Sequence, residues 1–446
     1  MRFVLNIFTG VCFVLGFFLA GSQNTFAQEK LTLQECLEAG ILNNYSLQLL
    51  RMQEETAQRN VTPGNAGKLP VVNLNTPYSG SYLSTDRKLR DGSNSNTDPF
   101  FTHTLNPNVS VTYSLFEGYA ARYTSKMLQS QLETSGLKTR KGIEDYMANL
   151  AAAYYTYTYQ LLQFDNFASA VVLSNERVRI VKDKYELGSA SKLDLLQAQV
   201  DLNVDSSYMV SLYEKVSASR INMSNMMSDN SNLNRSFTPS DTFIPVNKSI
   251  DRDRLMNIAK ANNVSILIVE NDKTMAGYEY NIVKSRAYPY VRANASFGTQ
   301  ISAYGEGTYK RQLTVGPNFG LSMGIKLYDG SNQKRQEQNA VTEIERHEIY
   351  IKDTRQNVEA DLLIMYDSYR NNLRLLDMEE ENLKVATENL SVAKERYLLG
   401  ELSGIEMREA QQQWLDAKQR LIQVNYQAKL AEISLNQLAG LMTEYL

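Results

Sequence analysis

The chain has 446 residues, 43% of them apolar and 21% charged, and its 46 Lys and Arg against 49 Asp and Glu leave a formal net charge of −3. With no basic excess to neutralise phosphates, electrostatically driven nucleic-acid binding is excluded. Two histidines and two cysteines are poor material for a metal site, and the nine prolines all fall in residues 63–107 and 239–317, which leaves 108–238 and 318–446 free of that helix breaker.

Arg2 is the only charge before Glu29, residues 3–20 are almost wholly apolar, and small or polar residues follow to Thr25-Phe26-Ala27. A positive start, an apolar core and a small residue before a polar one predict a secretory signal peptide over residues 1–27. Cys12 lies inside that apolar core, so no lipid-anchor cysteine stands at the expected mature start, and Cys36 is left without a partner for an internal disulfide. No later apolar run reaches the roughly 18 residues a helical membrane span needs.

The rest of the chain repeats itself. Tyr185-Glu-Leu-Gly188 recurs as Tyr397-Leu-Leu-Gly400 and Leu115-Phe-Glu-Gly118 as Leu327-Tyr-Asp-Gly330, each 212 positions on (188 to 400, 118 to 330). Asn43-Asn-Tyr-Ser-Leu47 matches Asn262-Asn-Val-Ser-Ile266 at an offset of 219 (43 to 262), as Pro70 matches Pro289. Two repeats are therefore expected, 28–230 and 251–446, joined by a polar, proline-punctuated connector at 231–250. Each reads as a helix, a strand pair, a very long helix and a returning helix. The first repeat places its strands at about 71–84 and 107–116 and its long helix at about 119–187, with residues 84–106 as a long polar loop holding His103. The second places strands at about 289–303 and 312–328, the long helix at about 330–396 and the returning helix at about 402–440.

From Leu313 to Leu327 apolar residues alternate with Thr, Gly, Asn and Ser, a period of two that outlasts an ordinary strand of about five or six residues. A small, hydrophilic second face suits a barrel with lipid outside and water inside. Four strands per chain cannot close a barrel, which takes about eight, so an obligate oligomer is expected. The long helix of the second repeat repeats Leu362, Tyr369, Leu376, Leu383, Leu390 and Tyr397 every seven residues. That period marks a left-handed coiled-coil seam, which Asn372 and Glu379 interrupt at its complementary positions. Gly188 and Gly400 permit the reversals, with Tyr185 and Tyr397 three residues before them. Just after the second reversal Glu406 and Glu409 share a helical face, and Asp194 holds in the first repeat the place of Glu406. In an oligomer of parallel rods each acid would recur as a ring that attracts cations. No nucleophile elbow, phosphate loop or paired Cys-x-x-Cys is present. No enzyme activity and no cofactor are expected.

With its duplicated aromatic-x-x-Gly and Leu-aromatic-acid-Gly motifs and its order of strand pairs, the mature chain resembles a TolC-type outer-membrane factor, the exit duct of bacterial efflux pumps and type I secretion systems. The resemblance implies a homotrimer, a twelve-stranded transmembrane β-barrel in outer-membrane lipid continued by a coiled-coil periplasmic tunnel of twelve helices. It further implies a tip closed by coiling of the inner helix pairs and opened by a periplasmic adaptor (membrane fusion) protein and an inner-membrane transporter. Tyr397 then matches a tip tyrosine of the closed state, Asp194 an acid bonding to the neighbouring coil, and Glu406 and Glu409 an acidic constriction ring. Leu402 departs from the arginine that well-studied members carry two residues after the glycine, so the bridge from Asp194 is either missing or made by another cation such as Lys192. The other reading of the same residues is a periplasmic coiled-coil structural or adhesion protein, which explains the rods but gives the alternating strands no purpose.

Overall fold

A computed structural model describes residues 29–228, 233, 235–305 and 309–443; the expected signal peptide lies outside the described residues. Strand β1 (Glu29–Leu31) pairs in parallel with β6 (Phe237–Pro239), tying the residues ahead of the first helix to the segment between the repeats.

Where the sequence reads one helix before the strands, each repeat has two. In the first they are α1 (Leu33–Asn43) and α2 (Tyr45–Asn60). The break is built by Asn44, whose backbone is extended and whose side-chain oxygen accepts from the Leu47 amide at 3.1 Å, capping α2. In the second repeat α5 (Arg252–Asn262) and α6 (Val264–Ser285) are separated by Asn263, which accepts from the Ser265 and Ile266 amides. Both asparagines also donate across to the end of a returning helix, Asn44 to the Met226 carbonyl and Asn263 to the Leu438 carbonyl. The matched Asn-Asn motifs are thus a repeated helix joint.

Residues 84–106, expected as a loop, are mostly strand. Strands β2 (Val71–Asn75) and β3 (Tyr78–Lys88) run back against β4 (Asn94–Leu105) and β5 (Asn108–Glu117), leaving only a short turn at 89–93 closed by the Leu89 amide donating to the Ser93 carbonyl at 2.8 Å. Residues 84–99 are polar apart from Leu89, and Phe100 and Phe101 are adjacent, so this part of the hairpin lacks the apolar alternation that announces a half-buried strand. The breaks within each run fall at Pro77 and Pro107, which cannot donate to a ladder; their carbonyls still accept, from Asn106 and Thr299. Strand β7 (Tyr290–Tyr304) pairs with β5 and then β4 along one edge and with β8 (Arg311–Gly324) along the other, so the sheet is in effect four long antiparallel runs. Strand β8 stops at Gly324, four residues before the expected end at 328. His103, in β4 rather than a loop, shares a 2.8 Å hydrogen bond with the Tyr78 hydroxyl.

The sheet has two chemically distinct faces. Rows Leu74, Val109, Phe297 and Pro317, then Val72, Val111, Ala295 and Phe319, form one face; Phe319 is 89% exposed in the single chain. The alternate rows, Asn73, Ser110, Ser296 and Asn318, and Asn75, Asn108, Gly298 and Gly316, lie on the other face.

Helices α3 (Ala120–Glu186, 67 residues) and α7 (Asn332–Leu399, 68 residues) are rods of roughly 100 Å. The returning helices α4 (Lys192–Met226) and α8 (Gly404–Ala439) fold back along them, and α3 also packs on α8. The core is duplicated as well: Leu150, Tyr157 and Met223 in one cluster stand where Leu362, Tyr369 and Leu435 stand in the other, all nearly inaccessible. Tyr157 donates to the Phe237 carbonyl and Tyr369 to that of Asn247. Of the heptad, Leu362, Tyr369, Leu376 and Tyr397 are buried in the single chain and Leu383 and Leu390 half-buried. Glu379, an interruption of that pattern, accepts from Arg420 of α8 at 3.1 Å.

Candidate functional site at the helical tip

Both long helices end in the same turn. Gly188 (φ 78°) and Gly400 (φ 82°) take the left-handed conformation that closes an α-helix, and the amide after each donates back into the last turn, Ser189 to Lys184 and Glu401 to Arg396. Three residues past each glycine a serine begins the returning helix. The Ser191 hydroxyl accepts from the Asp194 amide at 3.1 Å while the Asp194 carboxylate accepts from the Ser191 amide and hydroxyl at 3.0 and 2.7 Å. Ser403 and Glu406 repeat this capping box at 3.3, 2.9 and 2.7 Å. Hydrogen bonds from their own serines hold both carboxyls below the usual range. The acids that recur at matching positions therefore have a local task, each capping its own returning helix. Glu409 is exposed one turn on and accepts from Gln413 at 3.3 Å. Lys192 is exposed and makes no ion pair among the described residues.

The two tyrosines have diverged. Tyr185 is 41% exposed, whereas Tyr397 is 5% exposed and sits in an apolar cluster with Val181, Ala198, Met407 and Ala410 that joins the first coil, α3 with α4, to the second, α7 with α8. Leu402 packs on this cluster. Lys184 lies 4.4 Å over the Tyr397 ring and donates to its carbonyl at 3.1 Å, and burial raises the tyrosine's pKa. At Leu402, the coils are held by apolar contact.

Above the tip lies a group of charges that sequence reasoning missed. On α8, Arg408 grips Asp205 of α4 with both terminal guanidinium nitrogens, at 2.7 and 2.8 Å. Ser174 of α3 also donates to Asp205, Gln411 donates to Ser174 at 3.0 Å, and the neighbouring Arg177 pairs with Asp201. A signal was present: 212 positions on, Ser174, Arg177, Asp201 and Asp205 are replaced by Ala386, Asn389, Gln413 and Ala417, so this patch departs from the internal repeat. Among the described residues no group of His, Cys, Asp and Glu could hold a metal ion.

A family model described as outer membrane efflux protein matches residues 37–226 and 255–441, one stretch in each repeat. The chain belongs to the outer membrane efflux protein family. A curated relative, the proteases secretion protein PrtF of Dickeya chrysanthemi, is 20% identical over 430 residues, covering 92% of this chain and 88% of that one. Among solved structures, a membrane protein from Pseudomonas aeruginosa is similar with a TM-score of 0.74 at 15% identity, covering 91% of this chain and 90% of that one. The outer membrane protein VceC of Vibrio cholerae gives 0.72 at 15% identity, with 92% and 96% covered. As an outer membrane efflux protein the chain is a transport channel of the outer membrane, with its helical rods on the periplasmic side.

Proposed function

We propose that the protein is a passive, gated exit duct built from three copies of this chain. The observation that carries this reading is the two-faced sheet of four runs, open at β2 and β8, standing on rods of roughly 100 Å. Three chains supply twelve strands, enough for closure, and each open edge finds its partner on the next copy. Phe319, Leu321 and Met323 then meet lipid, and the Asn, Ser and Gly rows meet water. The alternative of a periplasmic coiled-coil structural protein leaves that apolar face in water.

The reversals form the periplasmic gate. Tyr397 and its cluster hold the second coil to the first, and Glu406 and Glu409, tripled by symmetry, ring the mouth with negative charge. Leu187, Leu193, Leu399 and Ile405 are left exposed at the tips and give a periplasmic adaptor an apolar docking surface. Energy comes from an inner-membrane transporter, because the duct itself has no phosphate-binding loop. The cargo is small molecules or a secreted protein, the latter favoured by the secretion role named for PrtF. The test is a lock: cysteines at Asp194 and Leu402, bridged by a bismaleimide, should arrest export in cells in proportion to the bridged fraction. Export that continues with the bridge fully formed would rule out tip opening.

A further inference from the structure

Opening that separates the second coil from the first must break Arg408 from Asp205, and a buried carboxylate stripped of its cation is costly. The structure holds a replacement in waiting. The Arg177 side chain is 5% exposed and pairs with Asp201 through one terminal nitrogen, while its other, Nη1, is buried without any hydrogen-bond partner. Such an orphaned donor on a charged group is uncommon and calls for a reason. Asp201 and Asp205 are one turn apart on α4, and Arg177 and Ser174 one turn apart on α3, so Arg177 stands beside the carboxylate that Arg408 would leave.

We propose that Arg177, Asp201, Asp205 and Arg408 form a partner-exchange latch. With the coils together, Arg408 holds Asp205 and Arg177 holds Asp201. As α8 moves off, the free Nη1 of Arg177 takes Asp205, so one guanidinium bridges both carboxylates and neither is left unpaired. Arg408 leaves with α8 into water, which is already within reach: the pair lines a polar cavity of about 400 Å3 between α3, α4 and α8, with Tyr208, Gln412 and Asp416, roomy enough to admit it. The exchange keeps both coil positions electrostatically satisfied, so the gate has two defined states rather than one stable state and a strained one. It also places a polar lock where the apolar contact of Leu402 supplies no charge. This inference rests on the reading of the tip as a gate.

The test uses the full-length protein in planar bilayers, reading time-averaged conductance, with thermal dissociation of the oligomer as the check on assembly. R408M removes the closed-state partner and leaves Arg177 free to serve the open state, so conductance should rise, by roughly tenfold for about 1.4 kcal/mol lost from the closed state. R177M spares Arg408 with Asp205 but deprives the open state of its cation, so conductance should fall. A static brace predicts instead that both substitutions loosen the coils and raise conductance, and that result, or no change in either, overturns the exchange. If R177M does not assemble, R177K, which keeps the charge but loses the two-armed geometry, should show the same fall in weaker form, and a rise there is equally fatal. Failure of the gate itself is separable: the bridged Asp194→Cys/Leu402→Cys protein would then conduct as well as the unbridged one.

Discussion

Gly118 and Gly330 stand at equivalent joints between sheet and long helix, yet alanine should be tolerated at one and not at the other. Both adopt positive φ, 60° and 69°, so a side chain costs about 1–2 kcal/mol at either site, partly offset by a stiffer unfolded chain. Around Gly330 there is space, the nearest atom to an added Cβ being the Asn332 amide at 3.7 Å. At Gly118 the same carbon would lie 2.2 Å from the Ser285 carbonyl oxygen and 2.8 Å from Tyr288 Cβ. That carbonyl ends α6 and already accepts from the Tyr288 amide, so relief requires the backbone of the helix end to move. Forcing such a contact adds on the order of 1–3 kcal/mol. Gly118→Ala should therefore lose about 2–4 kcal/mol and Gly330→Ala about 1 kcal/mol, read as thermal unfolding in detergent and as the yield of assembled protein in the outer membrane. Equal losses at the two sites, or none at Gly118, would refute the account of how the first repeat joins sheet to rod.

The tips should also respond to acid. Because their folded pKa values are depressed, Asp194 and Glu406 support the folded turns above the ordinary values of 3.8 and 4.5 and lose that support as pH falls below them. Hydrogen-exchange protection at 189–196 and 401–409 should hold at neutral pH and drop toward pH 3, and Ser191→Ala with Ser403→Ala should remove the pH dependence; protection unchanged at pH 3 contradicts the capping role. Glu406→Gln with Glu409→Gln should weaken preference for cations in single-channel recordings, whereas unchanged selectivity would exclude the acidic ring. Cys36, buried in the first core and with its thiol pushed up to about 12 by burial, should resist alkylation in the native protein and react only in denaturant; rapid native labelling would mean that this core opens. Tyr157→Phe should cost about 1 kcal/mol in unfolding, from its 2.7 Å bond to the Phe237 carbonyl, and a neutral substitution would show that this bond is replaced by water.

What was legible in the sequence followed from periodicity and self-similarity. The heptad from Leu362 to Tyr397 describes a seam that buries Leu362, Tyr369, Leu376 and Tyr397 and half-buries Leu383 and Leu390 in the single chain, and the period of two from Leu313 describes a sheet face that repeats across β7 and β5. The start of β3 lay inside the expected strand at 71–84, but its far end and β4 were not legible, because residues 84–99 are polar apart from Leu89 and Phe100 and Phe101 are adjacent rather than two apart, so no alternation distinguishes backbone pairing from a loop there. The helix joints were visible only as a matched Asn-Asn pair; the capping that makes Asn44 and Asn263 breaks depends on a side chain meeting an amide three residues on. At the tip, position singled out Asp194 and Glu406 for the gate, while their capping of Ser191 and Ser403 went unread although serine stands three residues before each acid. The Arg408 network could not be assembled from spacing, since its members come from three helices and meet only in the packed coil.

The central claim is that this chain assembles into a water-filled conduit that needs no energy of its own. Purified full-length protein added to a planar lipid bilayer tests it most directly. The account predicts discrete, uniform conductance steps, produced without nucleotide by the trimer and abolished when the oligomer is dissociated before addition. A protein that inserts yet gives no steps, or gives steps from the isolated monomer, would contradict it.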